Sequence, residues 1–316
     1  MRAATHIHVP RRPRPALSPS FEGRLLPHPD EPVFDQGLAF DIETLLSRRQ
    51  VLRAMGFTAV GAGLFGIVGC GPVATGTPGA TSASGSTAGN SPGRTAGATL
   101  AAEDCDTPIP EETAGPYPGD GSNGPDVLSQ SGVVRADIRS SFGTSSTVAS
   151  GVPLTIRLAI LDLAKGCAPM DGAAVYLWHC DQQGRYSLYS QGAQSENYLR
   201  GVQAAAADGI VTFTSVFPAC YSGRWPHIHF EVYPSLDAAK SAGNKIATSQ
   251  IALPKDICDQ VYATSGYEQS VRTLQGVSLS SDMVFGEDDG ERQIGTISGS
   301  VANGLTVDLS VPVSAS

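Results

Sequence analysis

The residue types best suited to holding an ion lie together in one run, Phe217-Pro-Ala-Cys-Tyr-Ser-Gly-Arg-Trp-Pro-His-Ile-His229. Where the end of this run is extended, His227 and His229 stand at i and i+2. Side chains at that spacing share one face of a strand, so two imidazoles can be offered to one cation. The tripeptide alone carries little weight, because His6-Ile-His8 repeats it near the N-terminus. The setting separates the two copies. Pro226 fixes the strand entry, Arg224 stands three residues before His227, and Tyr221 six before it. The plain alternative is a histidine pair on the solvent side of a strand. After position 28 the only other histidine is His179, which directly follows Trp178 and so points to the opposite face from it.

Positioning such a cluster requires strands, and the chain from about Asp104 onward supplies them. Val152–Leu161 alternates, Ala173–Trp178 follows a Met-Asp-Gly turn, and Gly209–Val216 follows an Ala-Asp-Gly turn. Ile228–Tyr233, Ala247–Leu253 and Gly304–Val311 read the same way. Ser235–Ala242 and Asp256–Ala263 each have room for a short helix, and neither makes a helical layer. Many short strands without long helices predict an all-β fold, an antiparallel sandwich with short helices and long loops. Beyond Cys70 stand Cys105, Cys167, Cys180, Cys220 and Cys258, with no CxxC among them. In an exported domain this odd count predicts one or two disulfides and a leftover thiol.

The rest of the 316 residues divides by composition. Beyond Cys70 there are 13 Lys and Arg against 24 Asp and Glu, a balance of −11, and an acidic body argues against nucleic acid as a partner. Residues 1–46 form a Pro- and Arg-bearing leader of unassigned role, read as a cytoplasmic extension or a misplaced start. Residues 47–70 resemble a twin-arginine export signal: Ser47-Arg-Arg-Gln-Val-Leu-Arg53, an uncharged apolar run over Ala54–Gly69, and Ile67-Val-Gly-Cys70, which resembles a lipobox. Sixteen residues suit a signal better than a membrane span. Residues 71–102, rich in Gly, Ala, Ser and Thr, read as a flexible tether, leaving 103–316 as the folded domain. The expected product is an exported lipoprotein anchored through Cys70 to the outer face of the cell membrane.

With these elements in place the motifs fall into an ordered set. Trp178-His-Cys-Asp-Gln-Gln-Gly-Arg-Tyr186, the later Pro218-x-x-Tyr221-x-x-Arg224-x-x-His227-x-His229, and Gln250 some twenty residues on resemble the intradiol ring-cleavage dioxygenases. Thr113-Ala-Gly-Pro-Tyr117 and Tyr198-Leu-Arg-Gly-Val-Gln203 support the match, which covers roughly residues 103–285. The resemblance implies that Tyr186, Tyr221, His227 and His229 bind Fe(III), with Tyr186 preferred over its neighbour Tyr189. A hard trivalent ion favours anionic oxygen, and its charge lowers a phenol's pKa enough to bind phenolate. The resemblance also implies that Arg224 stabilises charge developing on the substrate, and that Gln250 and Tyr221 take part in catalysis. A diol dianion entering the site would protonate one of the two tyrosinates, and which one stays open. The substrates implied are a small catechol-type aromatic diol and O2, cleaved between the hydroxyl-bearing carbons to a muconate-type dicarboxylate.

Two departures from the family pattern stand out. Cys220 occupies a position where many members have Trp that shapes the pocket, and the motif begins Pro218-Ala219 where Pro-Gly is usual. The helical dimerisation segment of many relatives has no counterpart in the tether. Cys180 and Cys220, each near an implied tyrosine ligand, are candidates to pair with one another. Two other readings compete: a non-catalytic cell-surface β-sandwich that binds carbohydrate or protein, and a zinc hydrolase using the same histidines. The first has no need of two tyrosines, two histidines and an arginine together. The second lacks HExxH or a comparable carboxylate spacing.

Overall fold

The computed structural model describes residues 105–314, together with two short strands, β1 (Ser20–Phe21) and β2 (Arg24–Leu25), that pair antiparallel. The leader, the signal with its lipobox and the tether otherwise lie outside the described residues.

Two sheets carry the domain. In the first, β3 (Pro153–Asp162) lies between β7 (Ile210–Val216) and β11 (Gly304–Val313). At its edges β10 (Thr296–Ser300) pairs with β11, and the two-residue β4 (Ala168–Pro169) pairs with the end of β3. The second sheet runs β6 (Arg200–Ala204), β5 (Ala174–Trp178), β8 (His227–Tyr233), β9 (Ala247–Ala252), antiparallel throughout. The six strands read from the sequence all form, to within a residue or two at each end. One pairing departs from the antiparallel expectation: β11 runs parallel to β3, from Leu305 opposite Leu154 to Val313 opposite Asp162.

Period-two alternation fills one core from both sheets. Leu154, Ile156, Leu158 and Ile160 of β3 and Val307, Leu309 and Val311 of β11 join Val175, Leu177, Ile228, Phe230 and Val232 in a single apolar cluster. Each such side chain contributes about 1.5–3 kcal/mol when fully buried. That alternation sends His227, His229, Glu231 and Tyr233 to the outer face of the second sheet, where they are nevertheless buried. The cover is the segment before β3. Tyr117, Val127, Leu128 and Val133 pack against Tyr176, Trp178, Tyr186 and Val202, and Val134 bridges to Val202.

The helical expectations are met in part. Helix α1 is Lys255–Tyr262. The 235–242 stretch holds two 3-10 turns, Ala238–Lys240 and Ala242–Asn244, because Ser241 between them is extended. Helix α2 (Glu268–Leu274) was not foreseen. The cysteine expectation needs correction. One disulfide, Cys105–Cys167, ties the start of the cover segment to the turn after β3, and three buried thiols remain. Cys180 and Cys220 do not pair: the first thiol donates to Ala219 O and the second to Arg224 O, both at 3.6 Å. Cys220 sits in the intersheet core with Phe217 and Trp225. Among the described residues no helix is long and apolar enough to cross a membrane.

Candidate metal centre

Strand register assembles the first part of the site. Trp178, His229 and Gln250 are successive cross-strand partners on β5, β8 and β9, so their side chains form one row on the outer face. Trp178 lies flat on His229, with ring centroids 4.9 Å apart and planes 3° apart. His227 lies one pleat along β8 on the same face. Two loops complete the set: residues 179–199 bring in Tyr186, and the turn before β8 brings in Tyr221 and Arg224.

Four donor atoms converge. His227 Nε2 lies 3.1 Å from His229 Nε2, 3.1 Å from Tyr221 Oη and 3.3 Å from Tyr186 Oη, and the two phenol oxygens are 3.4 Å apart. His227 Nδ1 sits 2.5 Å from the Trp225 carbonyl. A carbonyl only accepts, so Nδ1 carries the proton and the Nε2 lone pair faces the cluster. Nδ1 of His229 is buried with no hydrogen-bond partner among the described residues. The Thr113–Tyr117 segment closes one side. Gly115 has φ +70°, and a Cβ there would stand 3.2 Å from His229 Cε1, so the backbone lies against the imidazole where a side chain would press on it.

Arg224 is the cation of the site and is held on three sides. Its Nε donates to Asp282 Oδ2 at 3.0 Å, Nη2 donates to Gln250 Oε1 at 2.7 Å, and Nη1 lies 3.4 Å from His227 Nε2. Gln250 in turn donates from Nε2 to Thr113 O at 2.9 Å. Asp282 was not foreseen, since it stands far along the chain in a stretch of short turns with no motif around it. Its Oδ2 also accepts from Trp225 N at 2.6 Å, and Oδ1 accepts from Val284 N at 2.8 Å and Phe285 N at 3.1 Å.

Electrostatics follow from burial. Burial first, then the charge of Arg224, pushes His227 down to about 3, and burial with His227 beside it holds His229 well below its ordinary value. Both imidazoles are therefore held in the neutral form that binding an ion requires. Burial raises Tyr186 and Tyr221 above the usual phenol range, with Arg224 opposing it in both. Removing their protons requires a stronger positive charge than one guanidinium, which a bound metal ion supplies. Among the described residues no group of three or more His, Cys, Asp or Glu side chains forms a metal site, so an ion here depends on the phenols. Two neutral imidazoles and two phenols converging on one point suit a hard, highly charged cation.

The neighbouring candidates fall outside the cluster. Tyr189 Oη accepts from Gly119 N at 2.9 Å and donates to Asn123 O at 3.3 Å. His179 bonds Ser215 Oγ at 2.7 Å and Cys180 O at 2.8 Å.

A family model described as Dioxygenase matches residues 124–239. An intradiol ring-cleavage dioxygenase from Tetranychus urticae is 25% identical, with a TM-score of 0.52 over 66% of this chain and 95% of that one. The chain thus carries a dioxygenase-type segment and resembles an intradiol ring-cleavage dioxygenase in fold. A second dioxygenase structure gives the same identity, 25%, and the same TM-score, 0.52, over 66% of this chain and 94% of that one. Catechol 1,2-dioxygenase from Pseudomonas arvilla C-1 is 19% identical, with a TM-score of 0.40 over 66% of this chain and 63% of that one. No curated relative matches. The matched stretch contains Tyr186, Tyr221, Arg224, His227 and His229, and ends before Gln250 and Asp282. Both comparisons point to an enzyme of the ring-cleaving dioxygenase type.

Proposed function

We propose that Tyr186, Tyr221, His227 and His229 hold one ferric ion, and that the enzyme uses O2 to open a catechol-type ring between its hydroxyl-bearing carbons, giving a muconate-type dicarboxylate. The observation that carries this reading is the convergence of four donor atoms around a His227 lone pair whose tautomer is fixed by Trp225 O. Ferric iron, when bound, supplies the hard positive charge that stabilises anionic oxygen donors and makes a chelated diol reactive toward dioxygen.

The protein's own residues do the rest. Trp178 stacked on His229, and Gly115 against its edge, keep that imidazole from rotating. Tyr221 is the less buried of the two phenols, so its oxygen is the better placed to take a proton from an incoming diol. Arg224, fixed by Asp282 and Gln250, faces the space where negative charge builds on the ring, and it needs no reorganisation to stabilise that charge. Metal analysis with a visible spectrum tests the site. Wild-type protein should hold about one iron per chain with a phenolate-to-iron band, and His227→Ala or His229→Ala should lose both. Zinc in place of iron, or a colourless protein active without iron, would refute the reading. Catechol turned over to a yellow semialdehyde would refute the position of cleavage.

The sequence further supports export by the twin-arginine-type signal and anchoring through a lipid on Cys70. Cys70→Ala should release the protein from membrane fractions or block its processing, and unchanged fractionation and mass would sink the idea.

A further inference from the structure

The row of partners on the outer face has a fourth member. Arg200 of β6 pairs with Trp178, so the row runs Arg200, Trp178, His229, Gln250 across the whole second sheet. Its guanidinium is buried, and among the described residues no carboxylate forms an ion pair with it. All five N–H groups are nevertheless used. Nε donates to Ser187 Oγ at 3.0 Å, and Nη2 donates to Ser187 O at 3.0 Å and Tyr117 O at 2.9 Å. Nη1 donates to Pro118 O at 2.8 Å and Tyr176 Oη at 3.1 Å.

These acceptors are informative because of where they sit. Ser187 directly follows Tyr186, so two of the five bonds hold the peptide that carries that phenol. Tyr117 packs its ring on Tyr186, with centroids 4.9 Å apart, so a third bond holds the neighbour that limits where the phenol can swing. Pro118 continues the same covering segment. Backbone geometry marks the cost: Leu188 and Leu199, each next to a residue of this clamp, have φ of +74° and +55°. Non-glycine residues keep left-handed backbones only where their surroundings impose them. Close fit is visible from the other side as well. A Cβ on Gly119 would stand 2.9 Å from Arg200 Nη1, so any side chain at 119 displaces the guanidinium.

We propose that Arg200 is a positioning residue for Tyr186: its five-donor fork holds the Tyr186–Leu188 turn and the Tyr117–Pro118 crossing in the geometry that aims the Tyr186 phenol at the two histidines. The inference rests on the proposed metal site for its consequence, and on the hydrogen-bond set alone for its mechanics. A planar guanidinium suits the task where an ammonium does not, since only the fork reaches five acceptors in fixed directions.

The test uses the full chain, with Arg200→Lys as the first variant. Amide hydrogen exchange on metal-free protein should rise on the order of tenfold over residues 186–193 and stay unchanged in β3 and β7. On iron-loaded protein, release to a chelator should speed up on the order of tenfold and the visible band should shift. Unchanged exchange over 186–193, or a rise shared equally by β3 and β7, would overturn the proposal. Should Arg200→Lys fail to fold, Ser187→Ala decides by the same exchange measurement, a rise confined to 186–193 supporting it and any other pattern overturning it. A wild-type protein without iron or colour would count against the metal site, while the exchange result would still judge the clamp.

Discussion

Replacing Asp282 with Asn keeps the shape of the side chain and removes its charge, and the structure says what that should do. The carboxylate accepts four hydrogen bonds, from Arg224 Nε and Trp225 N on one oxygen and from Val284 N and Phe285 N on the other. An amide has one accepting oxygen, so its NH2 must face two N–H donors whichever way it turns. Buried, unsatisfied donors cost about 1–3 kcal/mol each, and removing one partner of a buried ion pair costs about 3–5 kcal/mol. Taking the latter range for the whole change, thermal unfolding should move down by about 6–20 °C. The effect should depend on pH in a definite direction. Burial raises the Asp282 pKa, but the Arg224 charge and the Trp225 N–H outweigh it and hold it below the ordinary value. A depressed folded pKa gives stability that is fully present above the unfolded value, about 3.9, and is lost as pH falls through the folded value. The gap between wild type and Asp282→Asn should therefore be widest near neutrality and close in acid. Unfolding followed by circular dichroism across this range, with Asp259→Asn in the exposed Lys255 pair as control, measures both. A loss at neutral pH no greater than the control's, or a gap that widens in acid, would refute the reasoning.

Other expectations are as direct. Tyr189→Phe should keep iron and the visible band while Tyr186→Phe loses or shifts it; the reverse result would reassign the ligand. Arg224→Leu should retain iron and bind a catechol yet turn over on the order of a hundredfold more slowly, the loss of about 3 kcal/mol from one preorganised donor; steady-state kinetics showing full activity would contradict that role. Gly115→Ala places a Cβ against His229 on a left-handed backbone and should cost about 1–2 kcal/mol, read from denaturant midpoints. Cys105→Ser should destabilise by about 4 kcal/mol, because the disulfide closes a loop with a sequence separation of 62; reducing agent should lower wild-type stability by the same amount and leave the variant unchanged.

Much of the site was legible because it depends on short-range rules. Period two alone puts His227 and His229 on one face and Ile228 on the other, and the spacing of Tyr221 and Arg224 follows within the same turn. Gln250 could be placed in a strand, though only pairing register shows it beside His229. Asp282 was not legible. Its partnership with Arg224 is set by how a run of irregular turns folds back on the sheet, and no periodicity encodes that. The cover segment escaped for a related reason: it makes isolated bridges and side-chain contacts in place of strands, so its sequence lacks alternation. Arg200 lay in a motif that was noticed, but a lone arginine in a strand gives no sign that it will be buried among carbonyls. The thiols misled because oxidising surroundings favour disulfides only where backbones bring sulfurs together, and Cys180 and Cys220 each face a carbonyl instead.

The parallel pairing of β11 with β3 bears on how the chain is made as well as on how it stands. Among the described residues β3 is the first long strand to emerge during synthesis and β11 is the last, yet β11 occupies an interior place in the sheet, between β3 and β10. Until Gly304–Val313 has left the ribosome, one side of β3 has no partner in its own chain, and the apolar side chains of β11 are missing from the core. Contacts between such distant segments form slowly, and an open strand edge invites pairing with other chains in the meantime. A chain lacking β11 should therefore aggregate instead of folding to a smaller domain, which makes the arrival of this strand a condition for the candidate site although every residue assigned to that site precedes it.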